Sequence, residues 1–137
     1  MSLDMERFTR LGEETIYAAH RIVSENKQQR MEAEHLLLAL LSQQEGVMSQ
    51  VMAKSPETIA AIEADLDEFI RKLDKNRSTS TEVYLSHSCE QIIKKAEQEA
   101  DFLKDEFLTP EHLLLGVINH TGTTASRVLR RAGITYK

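Results

Sequence analysis

Residues 34–38 read Glu-His-Leu-Leu-Leu, and residues 111–115 repeat the same five letters after a shift of 77 positions (111 − 34 = 77). Without a gap, the same shift aligns apolar residues outside the pentapeptide, such as Ile16 with Ile93 and Met31 with Leu108. A solvated surface would not keep this register, whereas two helical units with the same buried faces must keep it. The sequence therefore predicts an internal duplication over most of its 137 residues.

The apolar residues recur at steps of three and four, which is typical of helices with one buried face. Ser55 and Pro56 match the N-cap and first position of a helix, and Gly133 matches a C-terminal stop. We predict an all-α fold, a pseudo-twofold duplicated bundle of about seven to eight helices in two similar halves. The apolar stripes cover residues 8–23, 33–41, 47–52, 59–73, 85–103, 113–118 and 125–132.

The duplication also sets the expected domain organisation. We predict a single domain over residues 1–137, with repeat one at about 6–56 and repeat two at about 83–133. Between them lie a connecting helix and a polar linker, at about 57–82, whose stretch 75–81 carries no apolar residue.

Composition narrows the class of protein. The chain is 41% hydrophobic and 28% charged, which is ordinary for a globular domain, and its net charge of −5 disfavours nucleic acid as a ligand. No apolar run approaches the roughly 18 residues of a membrane span, and the N-terminus lacks the apolar core of a secretory signal. A single cysteine, Cys89, allows no internal disulfide. The expected compartment is the cytoplasm, with no membrane contact.

The sequence gives little indication of an enzyme active site. The five glycines are scattered and form no phosphate-binding loop, so ATP hydrolysis by this chain is not expected. The histidines lack the H-E-x-x-H spacing of a zinc site, and we interpret His35 and His112 as residues that cap or pack at the third position of their helices. Cys89 lies on an apolar stripe, as a buried thiol would. We therefore predict no catalytic residue and no metal site.

The start of the second Glu-His-Leu-Leu-Leu helix is well defined. Thr109, Pro110 and Glu111 match the N-cap and first two helical positions, where a carboxylate favours the positive helix end. Glu34 occupies the equivalent place after Glu32 and Ala33, so the first copy keeps the acid without the threonine cap. The two glutamates are therefore either helix-end residues only or part of a binding site.

Several of these features together resemble a known family. Phe8-Thr9 opens a helix, each half carries Glu-His-Leu-Leu-Leu, and residues 83–86 (Val-Tyr-Leu-Ser) restart the pattern after a polar linker. In this the chain is similar to the Clp N-terminal domain, the double-repeat module in front of the AAA+ rings of Clp unfoldases. Residues 84–86, the long connection from 55 to 82 and residues 105–113 are most similar to the ClpB disaggregase branch, with ClpC and ClpA second.

The resemblance implies reception of protein clients and suggests which residues do it. In ClpB-type domains, residues at the positions of Thr9, Asp105 and Glu111 handle aggregated substrates, and all three residue types are present here. The family places an apolar groove beside them, to which Ile93 and the neighbouring face of its helix would contribute. Asp105 has Gln28 as its partner at the 77-residue shift, which favours an asymmetric, ClpB-like site.

The second branch implies another arrangement. In ClpC-type domains, the equivalents of Glu34 and Glu111, near hydroxyls at Thr9 and Ser86, hold phosphorylated arginine, and this sequence keeps those acids and hydroxyls. The resemblance therefore leaves two site types open, to which we add a freestanding adaptor or inhibitor of a Clp protease.

The resemblance also sets expectations for partners and assembly. We expect unfolded or aggregated proteins, and possible adaptor proteins, as partners, with no cofactor in this domain. ATP and magnesium would belong to ATPase modules that follow in the family beyond the position of Lys137. The full-length family proteins are hexameric through those modules, so the isolated domain is expected to be a monomer.

Overall fold

The fold is described from a computed structural model of the chain, which describes residues 3–42, 54–76 and 80–135. The short helix predicted around residues 47–52 and part of the predicted linker lie outside this described part. Six α-helices are present within it, in keeping with the all-α prediction of seven to eight. They are α1 (Arg10–Glu25), α2 (Ala33–Ser42), α3 (Pro56–Arg71), α4 (His87–Phe102), α5 (Pro110–Asn119) and α6 (Thr124–Arg131).

The capping residues predicted from the sequence lie at helix ends in the structure. Ser55 accepts a hydrogen bond from the Thr58 N–H in front of Pro56, and Thr109 precedes Pro110 in the same way at the start of α5. Gly133 adopts a φ of +81° directly after the last turn of α6, as a left-handed C-terminal stop requires. Hydroxyl caps also open α1, α4 and α6, and their residues are Thr9, Ser86 and Thr123.

The duplication is visible in the backbone. Strand β1 (Arg30–Met31) of repeat one pairs in parallel with β2 (Tyr84–Leu85) of repeat two, and Met31 lies opposite Leu85. The contact equivalent to it under the pseudo-twofold joins Phe8 to Leu108, which are the partners of Leu85 and Met31 at the 77-residue shift. The two halves are therefore intertwined, because each gives its opening segment to the other.

The end of the first long helix is built alike in both repeats. Lys27 after α1 has a φ of +56°, and Lys104 after α4 has a φ of +61°, again 77 positions apart. Behind each, an amide closes the turn: Gln28 N–H donates to the Val23 carbonyl at 3.0 Å and Asp105 N–H to the Ala100 carbonyl at 2.8 Å. The pseudo-twofold thus extends to the backbone conformation of single residues.

The two Glu-His-Leu-Leu-Leu helices lie at the centre of the core. Most residues of α2 and α5 are buried, because α2 packs on α1, α3, α5 and α6 while α5 packs on α4, α6 and α1. Close approach needs glycine: a Cβ at Gly116 would lie 2.6 Å from the Ile92 carbonyl oxygen, and one at Gly12 would lie 2.7 Å from that of Leu108. In the described part of the chain, no helix combines the length and apolar character needed to cross a membrane.

Candidate functional site

A histidine–aspartate pair lies at the start of α5. The Thr109 N–H donates to His112 Nδ1 at 3.0 Å, and the His112 N–H donates to Thr109 Oγ1 at 3.3 Å, which completes a capping box. Since Nδ1 accepts a hydrogen bond, the proton is assigned to Nε2, which donates to Asp105 Oδ2 at 3.1 Å. The imidazole is 5% exposed and the Asp105 side chain 50%, so a buried ring orients a carboxylate at the surface.

Thr9 joins this region from the start of α1. Its N–H and hydroxyl both donate to the Leu108 carbonyl, at 2.9 and 3.2 Å, while the hydroxyl oxygen accepts the Gly12 N–H at 3.1 Å. Glu111 is exposed in the first turn of α5, next to His112. Thr9 therefore lies against the segment 105–112, which contains Asp105 and Glu111, and we call these three residues the open cluster.

The residues related to the open cluster by the 77-residue shift are Ser86, Gln28 and Glu34, which we call the closed cluster. They are only 5%, 5% and 3% exposed. Here His35 Nδ1 accepts the Glu32 N–H at 2.9 Å, and its Nε2–H donates to Gln28 Oε1 at 2.8 Å. The duplication has thus kept the histidine geometry in both repeats but exposes the residues around it in only one.

The connecting helix α3 helps to bury the closed cluster. Gln28 Nε2 donates to the Ile70 carbonyl, near the end of α3, at 2.6 Å. A glutamine can lie here because its amide satisfies an acceptor on one side and a donor on the other. Burial lowers the pKa of His35 to about 4, so the ring is neutral at physiological pH.

Glu34 ties repeat one to repeat two. One of its carboxylate oxygens accepts the Ala125 N–H at 2.8 Å, in the first turn of α6, where the helix dipole favours negative charge. Burial raises the pKa of Glu34, and hydrogen bonds from the backbone, that of Ala125 first, partly offset this. The two glutamates of the duplicated pentapeptide consequently differ, since Glu34 is an internal link and Glu111 faces solvent.

The predicted site residues divide by exposure. Asp105 and Glu111 are exposed and Thr9 is half-buried, whereas Glu34, Ser86 and Ile93 are buried, with Ile93 5% exposed on the core face of α4. Between α4 and α5 lies a groove with a mixed polar and apolar lining, to which Ile93 does not contribute. Its residues are Lys95, Gln98, Glu99, Phe102, Leu115, Gly116 and Asn119.

Sequence reasoning interpreted His35 and His112 as helix-start residues, and this is confirmed, but it missed the bond from His112 to Asp105. The sequence pattern that could have indicated this bond is a spacing of seven residues, from Asp105 to His112 in repeat two and from Gln28 to His35 in repeat one. Cys89 is fully buried, and burial raises the pKa of its thiol to about 12. Among the residues that the structure describes, no three metal-ligating side chains come together.

Comparison with known proteins agrees with this architecture. The family described as the Clp repeat (R) N-terminal domain matches residues 7–132. The chain is 32% identical over 130 residues to chaperone protein ClpB 1 of Parasynechococcus marenigrum (strain WH8102), covering 95% of this chain and 15% of that protein. It is 30% identical over 133 residues to ClpB of Porphyromonas gingivalis (strain ATCC BAA-308 / W83), covering 97% and 15%. The chain thus spans about 15% of the length of these relatives.

A solved structure shows the same fold. The N-terminal domain of the caseinolytic protease associated chaperone ClpD from Arabidopsis thaliana superposes with a TM-score of 0.73 at 20% sequence identity. The superposition covers 96% of this chain and 88% of that domain. The likeness therefore concerns the arrangement of the helices.

Proposed function

Because the chain belongs to the Clp repeat N-terminal domain family, we propose that it receives unfolded or aggregated polypeptide for an ATP-driven ring of the ClpB disaggregase type. In this proposal, ATP hydrolysis is the work of modules outside residues 1–137, and the domain supplies binding only. The open cluster of Thr9, Asp105 and Glu111 is the client-handling site.

The observation that carries the proposal is the asymmetry between the two clusters. Both repeats hold the same capping histidine, but only in repeat two does it orient an ionisable side chain, Asp105, that is half exposed. With Glu111 exposed one residue before that histidine, two carboxylates face solvent, while their equivalents Gln28 and Glu34 are buried. One side of the duplicated fold can therefore meet a ligand, and that side is acidic.

Such a site suits weak and general binding. Exposed carboxylates attract the lysines and arginines of an unfolded chain, but solvent and salt screen each pair, which is worth about 1 kcal/mol or less. An unfolded client also loses conformational entropy when it is ordered on the domain, and this makes the binding free energy less favourable. We expect dissociation constants of about micromolar or weaker, which suits a domain that passes its client on.

The test is a titration with a chemically unfolded protein, followed by fluorescence anisotropy. Glu111→Gln and Asp105→Asn remove the two exposed charges with little change of shape and should each weaken binding several-fold. Asp67→Asn, at an exposed position on α3, is the matched control and should bind as the parent chain does. Unchanged binding by both cluster variants, with helical circular dichroism preserved, would show that the open cluster does not handle clients.

The ClpC/ClpA-type alternative predicts two equivalent sites for phosphorylated arginine, one at Glu34 and one at Glu111. The 3% exposure of Glu34 and its bond to Ala125 favour the single-site proposal, because a ligand would first have to open the contact between the repeats. Titration with free phosphoarginine separates the two, since two sites per chain would support the alternative. For a freestanding adaptor, the discriminating observation is whether the reading frame continues beyond Lys137 into an ATPase module.

A further inference from the structure

Three large apolar side chains are exposed within six residues, at the end of α4 and in the loop that follows it. Phe102 is 80% exposed, Leu103 52% and Phe107 48%, and we call these three residues the apolar patch. Single exposed apolar residues are common on protein surfaces, but several within one short stretch indicate an interaction surface. Every residue from 101 to 107 is exposed, so the patch is uncovered among the residues that the structure describes.

The backbone under the patch is fixed by hydrogen bonds. Lys104 N–H donates to the Asp101 carbonyl at 3.0 Å and Asp105 N–H to the Ala100 carbonyl at 2.8 Å, which closes the turn after α4. On the far side, Leu108 N–H donates to the Arg7 carbonyl at 2.7 Å. The loop therefore presents its side chains from a fixed backbone, and less backbone freedom is lost when a ligand binds.

Repeat one shows that the fold does not need apolar residues here. Its turn after α1 has the same left-handed lysine and the same closing bond, but the equivalents of Phe102, Leu103 and Phe107 are polar. At the 77-residue shift, they are Glu25, Asn26 and Arg30. Since polar residues make the same turn elsewhere in this chain, the apolar side chains of repeat two call for a reason other than folding.

The surroundings of the patch are acidic. Residues 99–106 contain four carboxylates and one lysine, a net charge of −3 (1 − 4 = −3). Among these acids, Asp105 belongs to the open cluster, and Asp101 pairs with Arg7 at 3.5 Å. A ligand that buries large apolar side chains on this patch gains further if it carries positive charges beside them.

We infer that the apolar patch of Phe102, Leu103 and Phe107 is a docking site for extended polypeptide segments in which aromatic or aliphatic residues alternate with lysine or arginine. This inference rests on the proposed function and extends the client site from the open cluster along the loop to the end of α4. The patch contributes apolar burial, and the four carboxylates of residues 99–106 favour basic segments over acidic ones.

The decisive variant comes from the chain itself. Replacing Phe102→Glu, Leu103→Asn and Phe107→Arg transfers the residues of repeat one to repeat two and leaves the net charge unchanged. The probe is a fluorescein-labelled synthetic peptide with alternating phenylalanine and lysine, compared with one in which glutamate replaces lysine. Tyr17→Gln, at a position 57% exposed on α1, is the control for loss of an exposed aromatic residue.

We expect the basic peptide to bind the parent chain and the Tyr17→Gln variant alike, and the triple variant about tenfold more weakly. The acidic peptide should bind less than the basic one, and high salt should reduce the difference. Equal binding of the basic peptide by parent and triple variant, or no binding by the parent, overturns the inference. If the triple variant does not fold, Phe102→Gln alone, at an 80% exposed position, decides in the same assay.

The same measurements keep this inference apart from the proposed function. If unfolded protein binds the parent chain, and binds more weakly after Glu111→Gln but not after the triple change, the patch inference fails while the proposed function stands. If unfolded protein does not bind the parent chain at all, the proposed function itself fails. If the triple change instead abolishes self-association in analytical ultracentrifugation and leaves peptide binding intact, the patch is a contact between two copies, and the docking inference is wrong.

Discussion

Replacing Glu34 by alanine should destabilise the fold much more than the same change at Glu111, although the two residues occupy identical pentapeptides. Glu34→Ala removes a carboxylate acceptor 2.8 Å from the Ala125 N–H and leaves that amide buried without its partner. A buried hydrogen bond to a charged group is worth about 1.5–3 kcal/mol, and the raised pKa shows that part of this is offset by desolvation. We therefore expect Glu34→Ala to cost about 2 kcal/mol.

Glu111→Ala is the matched comparison. Glu111 is exposed in the first turn of α5, where loss of a charge–dipole interaction costs at most about 1 kcal/mol. Urea unfolding followed by circular dichroism gives both free energies. In thermal unfolding, a loss of 2 kcal/mol should lower the Tm of a chain of this size by about 8 °C.

Glu34→Gln separates the hydrogen bond from the charge. Glutamine keeps an oxygen that can accept the Ala125 N–H and no longer buries an ionisable group, so it should lie within about 1 kcal/mol of the parent chain. Equal losses of stability for Glu34→Ala and Glu111→Ala would refute the reasoning, because the burial of Glu34 and its link to α6 would then have no energetic consequence.

Two further predictions concern stability. Because burial lowers the pKa of His35 from 6.5 to about 4, the unfolded chain takes up a proton more readily than the folded chain; the resulting stability is present above pH 6.5 and lost as the pH falls to 4. This contribution to the free energy of unfolding amounts to about 3 kcal/mol. The variant His35→Gln can keep the hydrogen bond at the start of the helix but cannot titrate, so its stability should no longer depend on pH in this way. Urea unfolding of both proteins between pH 4 and pH 6.5 measures the difference. Gly116→Ala should cost about 1–3 kcal/mol, since its Cβ would meet the Ile92 carbonyl oxygen at 2.6 Å, and unchanged stability would contradict the close packing of α4 and α5.

The helices and their ends could be predicted from the sequence because their causes are local. Apolar spacing identifies a buried face, and Ser55, Thr109 and Gly133 act on backbone groups within a few residues. The two-residue strands β1 and β2 could not be predicted, because they are too short to show alternation and depend on pairing across 54 positions (84 − 30 = 54).

The difference between Glu34 and Glu111 was equally beyond local reasoning. Both have the same four residues after them, so neither helix propensity nor periodicity distinguishes them. The distinction arises from Ala125, which is 91 residues from Glu34 in sequence and meets it only in the assembled fold. A carboxylate that sequence analysis places in a site can therefore be internal, and only the tertiary contact decides this.

The connecting helix explains how a duplicated fold comes to have one open side. It lies between the repeats in sequence and packs on α2 and α6, so repeat one gains a cover that includes the Ile70 carbonyl. Under this cover, the residue that faces the histidine must both accept from the ring and donate to that carbonyl, which Gln28 does and an aspartate could not. In repeat two the equivalent residue is Asp105, whose side chain is 50% exposed, so water can solvate a carboxylate at this position. The sequence difference between Gln28 and Asp105 thus follows from burial, and it leaves the exposed acidic surface on repeat two.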